Sequence, residues 1–224
     1  MRIRSFIIAY ALVLAILLFA DRRPGSMQQD RYSHVVDLTD GEVAGNHTVS
    51  RESSKESRTH IIAPGALIPG TWNAGQIPAE RLVAPMIVMD LEAGGAQNRQ
   101  ISLDDISAWE AHHGMIPQGA VVAIRRAGVL PNSSTPNSTT FPVARDAAQF
   151  LIDARYTIGF AVETPVDLTS DRTLARQIAL RGTYVVEQTA PLSSVPATGS
   201  LVIVAPAKEK KAGEGRVRIL AMLR

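Results

Sequence analysis

The sequence predicts a single α/β domain behind a short apolar leader, and three observations carry this reading. The chain has 224 residues, of which 46% are hydrophobic and 20% charged, enough for one sizeable domain with a core of its own. From residue 83 onward, short β-branched runs intermingle with helical patterns, as expected where helices pack on a sheet. Before all of these, Ser5–Ala20 (SFIIAYALVLAILLFA) runs without a charge behind Arg2 and Arg4.

That first segment has the layout of an export signal. Sixteen apolar residues are few for a membrane span, which needs roughly 17–25. A signal peptidase prefers small residues at −3 and −1, and of Leu18 and Ala20 only the second is small. Residues 1–20 are therefore read as a signal peptide or an uncleaved membrane anchor. Residues 21–33, polar and holding Pro24-Gly25, are read as a linker, and residues 34–224 as the domain. The domain is expected outside the cytoplasm, periplasmic or secreted.

Composition excludes several functions. Most of the chain is too apolar for disorder and lacks the repeats of collagen or coiled coil. Without cysteine there is no disulfide, thiolate metal site or cysteine nucleophile. Beyond residue 20 Lys plus Arg and Asp plus Glu number 21 each, so the domain has no overall attraction for nucleic acid.

The elements follow in order. Val35–Thr39 (VVDLT) reads as a short strand, and residues 40–58 as a polar loop. Val83–Leu91 (VAPMIVMDL) is a buried strand. Ser102–His113 is a helix with Ser102 as N-cap and Asp104 and Asp105 in its first turn, where they complement the dipole. Ala120–Ile124 is a strand, and residues 129–140 a loop by composition. Val143–Ala154 places Ala147, Phe150, Leu151 and Ala154 at helical spacing. Ile158–Val162 is a strand, Asp171–Leu180 a short helix and Tyr184–Glu187 a strand. Leu201–Ala205 and Val217–Leu223 are two last strands joined by a Lys- and Gly-rich turn. Val83–Leu91, Ala120–Ile124, Ile158–Val162 and Leu201–Ala205 are apolar on both faces and should form the buried centre.

Most local motifs have bland explanations. The sequons at Asn46, Asn132 and Asn137 sit in Ser/Thr/Asn-rich loops and read as loop composition. His112 and His113, just before Gly114, complement a helix C-terminus. Gly213-Glu214-Gly215 after Lys208–Lys211 reads as a basic hairpin turn rather than an anion site. No GxSxG, HExxH, Walker or GxGxxG element occurs. Thr59-His60-Ile61-Ile62-Ala63-Pro64 is more specific. An imidazole ahead of Pro near a strand edge can ligate a metal, although one imidazole alone makes no site.

These residues, taken with IPAERLVAPMIVMD, ISAWEAHHGMIPQGAVVAIR, FPVARDAAQFL, IGFAVETPVD, YVVE and VPATGSLVIVAPAKEKKAGEGRVRILAML, resemble the cyclase family. That family includes bacterial kynurenine formamidases, isatin hydrolases and related metal-dependent amide hydrolases. The resemblance runs from Val35 almost to the C-terminus and implies a swivelling β/β/α domain. It also implies a homo-oligomer.

The family's hallmark is a His-x-Gly-Thr-His-x-Asp-x-Pro-x-His segment that supplies metal ligands and a catalytic histidine. With Thr59, His60 and Pro64 in register, Glu56 stands at the first His and Arg58 at the Gly. Ile62 stands at the Asp and Ala66 at the last His. A further family His, upstream of a Glu retained here as Glu187, is replaced by Ala175. The resemblance thus implies a remnant metal set of Glu56, His60 and Glu187, with His60 the catalytic candidate and zinc or manganese, weakly held if at all, the cofactor. Three readings stay open: a degenerate, non-catalytic member that binds a small molecule, a hydrolase with relocated ligands, and a purely structural anchored protein. If the family register holds, His60 and Glu187 should converge with Glu56 close to His60, and Ile62, Ala66 and Ala175 should line the same apolar pocket.

Overall fold

Among the described residues eight strands and four α-helices make up the fold, and the long last strand decides how they close. In chain order these are β1 (His34–Asp37), β2 (His60–Ile62), α1 (Pro64–Leu67), β3 (Val83–Leu91), α2 (Leu103–His113), β4 (Val121–Arg126), α3 (Arg145–Ala154), β5 (Gly159–Val162), α4 (Arg172–Leu180), β6 (Tyr184–Glu187), β7 (Ser200–Pro206) and β8 (Glu214–Leu223). The computed structural model describes residues 32–40, 59–91, 99–126, 139–209 and 211–224. The expected leader helix over 5–20, the three sequons and Glu56 lie outside the described residues.

The strand order β8-β2-β6-β5-β4-β3-β7 returns to β8 through a β7–β8 pairing, so seven strands form a closed barrel. β3, β4, β5 and β6 are mutually parallel. β2 is antiparallel to both of its neighbours, as is β7. β1 pairs with residues 220–223 of β8, and β2 with residues 214–216. The bonds from β8 to these two segments use Gly213, Val217, Ile219 and Leu223. Backbone groups of alternate residues point to opposite edges of a strand, so β1 and β2 share one edge of β8. Thr39 bridges to Thr189 just past β6, while His60 pairs with Glu187 at its end. β1 and β2 therefore lie end to end in one lane between β8 and β6.

Alternation along the strands splits the core in two. Ile61, Met86, Val88, Val121, Ala123, Ala161, Tyr184, Val186, Val202 and Val204 pack inside the barrel. Ile62, Ile87, Met89, Val122, Ile124, Phe160, Val162 and Val185 point outward and pack with residues of α2, α3 and α4. Strands covered on both faces must be apolar throughout, and β4 through Ile124 and all of β5 are buried. β7 differs from the expectation: Val202 and Val204 are buried but Ala205 is exposed and Leu201 and Ile203 only half-buried. It is a one-faced antiparallel strand.

Local chemistry fixes the helices. The Ser102 hydroxyl accepts from the Asp105 N–H at 3.2 Å, and Asp105 accepts from the Ser102 N–H at 2.9 Å, which is a reciprocal capping box for α2. At its far end His112 bonds the Ala108 carbonyl at 2.8 Å and His113 lies against the Trp109 ring, as expected for histidines at a helix C-terminus. On α3 the buried stripe is Ala147, Ala148, Leu151 and Ile152. Phe150 instead lies partly exposed beneath the Arg155 guanidinium, 4.7 Å away, and Ala154 is exposed, so the stripe is rotated from the sequence expectation. Asp171 caps α4 by accepting from Thr173 and Leu174. The three-residue β2 and the one-turn α1 have no periodic pattern in the sequence and escaped it.

Two predictions follow from this packing. A Cβ at Gly159 would fall on the ring of Tyr184, whose fully buried side chain is fixed by donating its hydroxyl to the Arg81 carbonyl at 2.9 Å. Gly159→Ala should therefore cost about 1–3 kcal/mol in urea unfolding. The Glu110 carboxylate binds Arg155 through two bonds of 2.7 and 2.8 Å and accepts the Ile116 N–H at 2.9 Å. The Arg155 bond chiefly holds its carboxyl below the ordinary range, outweighing partial burial, which pushes the other way. A depressed folded value stabilises above the unfolded carboxylate pKa of about 4.3 and loses that stability as pH falls through it. Glu110→Gln should cost about 1–2 kcal/mol at neutral pH, and urea curves should show this difference fading below about pH 4.3.

Candidate functional site

The candidate site is built on β2, whose three residues sit in the crowded lane between β6 and β8. Ile61 faces the barrel interior opposite Val186, and Ile62 faces outward opposite Val185. By the same alternation His60 faces outward, directly opposite Glu187 on one side and Arg216 on the other. The structure thus brings His60 and Glu187 together as cross-strand partners, whose Cβ atoms lie about 4.5–5.5 Å apart in such pairs.

The neighbouring backbone fixes this pair. Thr59 is fully buried; its hydroxyl donates to the Gln188 carbonyl and accepts from the Asp40 N–H, both at 2.7 Å. That one side chain joins the end of β1, the start of β2 and the turn after β6. Gln188 takes φ 54°, a left-handed conformation unusual for a residue with a side chain. The Glu187 carboxylate accepts the Val166 N–H at 2.9 Å, so it also anchors the loop that leads to α4.

Beyond β2 the chain enters α1, which is pinned from below by the β7–β8 hairpin. Ala63 donates to the Gly213 carbonyl at 2.8 Å, and Ala74 to that of Ala212 at 3.0 Å. A Cβ on Gly213 would meet the Ala66 backbone at 2.7 Å, so only glycine permits this approach. The Gly213 turn thus supports α1, consistent with the hairpin reading of Gly213-Glu214-Gly215.

α1 faces α4 across an open cleft of about 530 Å³, lined by Ala66, Leu67, Ile68, Thr169, Arg172, Ala175 and Arg176. Ala66 and Ala175 therefore share a pocket, as the sequence register expects. Ile62 does not join them: it is 7% exposed and packs in the outer core with Leu174 and Ile178, because a β-branched aliphatic next to two helices gains more from burial than from facing a cleft. Nor is the cleft purely apolar, since Arg172 and Arg176 form part of its wall. The sequence reading missed these two. Their signal was the four-residue spacing on a helix already recognised, which places them on one face beside Ala175.

As a metal centre the arrangement is poor in donors. A catalytic divalent ion needs about three protein ligands and an open position. His60 and Glu187 are adjacent, but Ile62, Ala66 and Ala175 carry no donor atom, and one Glu187 oxygen already holds a backbone N–H. Among the described residues no group of three His, Asp or Glu comes together in a way that could hold a metal. Among the described residues, those in place supply fewer donors than a catalytic metal needs.

Comparison with known proteins bears on this geometry. Residues 27–166 match the Cyclase family model. No curated protein sequence is matched by the chain. Among solved structures, isatin hydrolase A from Labrenzia aggregata, bound to benzyl benzoate, is similar with a TM-score of 0.65 at 23% identity, covering 96% of this chain and 99% of that one. Isatin hydrolase A from Ralstonia solanacearum gives 0.67 at 21% identity, covering 85% and 92%. An isatin hydrolase bound to the product analogue thioisatinate gives 0.62 at 20% identity, covering 95% and 97%. At these identities the structural likeness establishes the barrel-and-helix fold, and the family match extends over more than half of the chain. The chain belongs to the cyclase family.

Proposed function

We propose that this protein is an exported cyclase-family member that binds a small molecule and does not hydrolyse amides through a metal. The observation that carries the reading is the chemistry of three positions. Where the family register calls for Asp, His and His, this chain has Ile62, Ala66 and Ala175. A carboxylate and two imidazoles are replaced by alkyl groups that neither ligate nor transfer protons. The remaining pair, His60 and Glu187, falls short of the ligand count that would lower the pKa of a bound water toward neutrality. The open cleft beside α4 supports a binding role, since its volume lies within the range of small-molecule sites.

The adjacency of His60 and Glu187 favours one second reading, a hydrolase in which Glu56 completes the set. A carboxylate can replace imidazole on zinc or manganese. Export rests on Arg2 and Arg4 ahead of Ser5–Ala20. Among the described residues no helix is long and apolar enough to cross a membrane. A reporter active only outside the cytoplasm, fused after Leu223, should give signal, and a silent fusion whose cytoplasmic counterpart works would refute export.

Activity separates the two readings of the site. With zinc or manganese added, the purified chain should turn over neither isatin nor an aryl formamide. The combined variant Glu56→His, Ile62→Asp, Ala66→His and Ala175→His should melt at a higher temperature with zinc than without it, because a metal that binds only the folded state stabilises it. Hydrolysis by the unmodified chain, abolished by His60→Ala, would establish the relocated-ligand enzyme instead.

A further inference from the structure

The cleft between α1 and α4 has one feature that the loss of metal ligands does not explain. Among the described residues its wall holds two cations, Arg172 and Arg176, and no carboxylate. Neither arginine makes a hydrogen bond or ion pair among the described residues. Other arginines nearby are matched: Arg145 binds Asp171 at 2.7 Å, and Arg181 binds Asp153 at 2.7 Å.

The pairing is also unfavourable for α4 itself. Like charges four residues apart repel on a helix surface. Arg172 is the first residue of α4, where the helix dipole disfavours a cation. The helix has no means of relieving this internally. Asp171 spends one oxygen on the Thr173 and Leu174 N–H groups and the other on Arg145. Thr169 spends its hydroxyl proton on Asp167 at 2.6 Å. The donors left facing the cleft are the two guanidinium groups, with Ala66, Leu67, Ile68 and Ala175 forming an apolar wall beside them.

We propose that this cleft binds a phosphomonoester with an apolar body. The phosphate lies between Arg172 and Arg176, and the body lies against Ala66, Leu67, Ile68 and Ala175. The charge count selects the head group: two uncompensated cations match a phosphate carrying about −1.5 to −2 at neutral pH better than a carboxylate carrying −1. The geometry agrees, because Cβ atoms four residues apart on a helix are about 5–6 Å from each other. From there two planar guanidinium forks can converge on the three oxygens of one phosphate. The inference deepens the small-molecule role proposed above and requires no metal.

The test is calorimetric titration of the full chain with phenyl phosphate, inorganic phosphate and phenylacetate, with metal content measured on the same samples. Phenyl phosphate should bind about tenfold or more tightly than either of the others, and Arg172→Gln and Arg176→Gln should each weaken it about tenfold while leaving the melting temperature of the unliganded chain unchanged or slightly raised. Absence of phenyl phosphate binding at millimolar concentration would overturn the proposal, as would equal binding by the double variant. Phenylacetate matching phenyl phosphate would remove the argument from charge, and inorganic phosphate matching it would remove the apolar wall. Arginine-dependent binding by a chain that carries a full complement of metal would refute the non-catalytic reading and leave the phosphate site standing. A metal-poor chain that ignores phenyl phosphate would refute the phosphate site alone.

Discussion

One edge of β8 serves two different segments of the chain, and the geometry of the site depends on it. Residues 220–223 pair with β1 and residues 214–216 with β2, while the opposite edge pairs with β7 through residues 217–222. If β8 were short, the barrel would either close or accept β1, but not both. Its ten residues do both and leave a three-residue slot for β2 against β6. The slot is held by backbone bonds on both sides and by the Thr59 hydroxyl, which is bonded to the turn after β6. A strand of three residues has little stability of its own, so its register comes from its neighbours.

That register determines what each residue of β2 can do. With Ile61 packed inside the barrel, His60 is directed outward beside Glu187 and Ile62 into the layer beneath α4. A slip of one residue would bury the imidazole among Met86, Val88 and Tyr184. Among the described residues this frame thus sets His60 beside Glu187, while Ile62, Ala66 and Ala175 carry no donor atom. The scaffold has no need of a metal for closure, because its two cores and the β8 pairings hold it. The cleft next to it is free to take a different chemistry, and α4 supplies that chemistry in the form of two arginines.

Most of the fold was legible because strands covered on both faces write themselves as apolar runs. VVAI in β4 and GFAV in β5 leave no alternative once a helix follows each parallel strand. Caps were legible for the same local reason, since Ser102 and Asp171 stand where their oxygens meet orphan N–H groups. Closure was not legible: it depends on β8 bonding β2 as well as β7, and no local pattern records a pairing between residues 61 and 215. The site was legible in part. His60 and Glu187 were found through family register, and the structure places them side by side. Ile62 was misplaced because register says which residue replaces a ligand, and not whether an aliphatic stays in the pocket or moves into the core. The arginines were not legible because two cations four residues apart on a helix read as an ordinary solvated face until the fold sets a cleft beside them.

The central claim is that the barrel keeps the frame of a metal-dependent hydrolase while lacking the atoms to hold the metal. Elemental analysis of the full chain, purified without added metal, addresses it most directly. The account predicts zinc and manganese well below one per chain, unchanged by His60→Ala. One tightly held ion per chain, lost when His60 is removed, would contradict it.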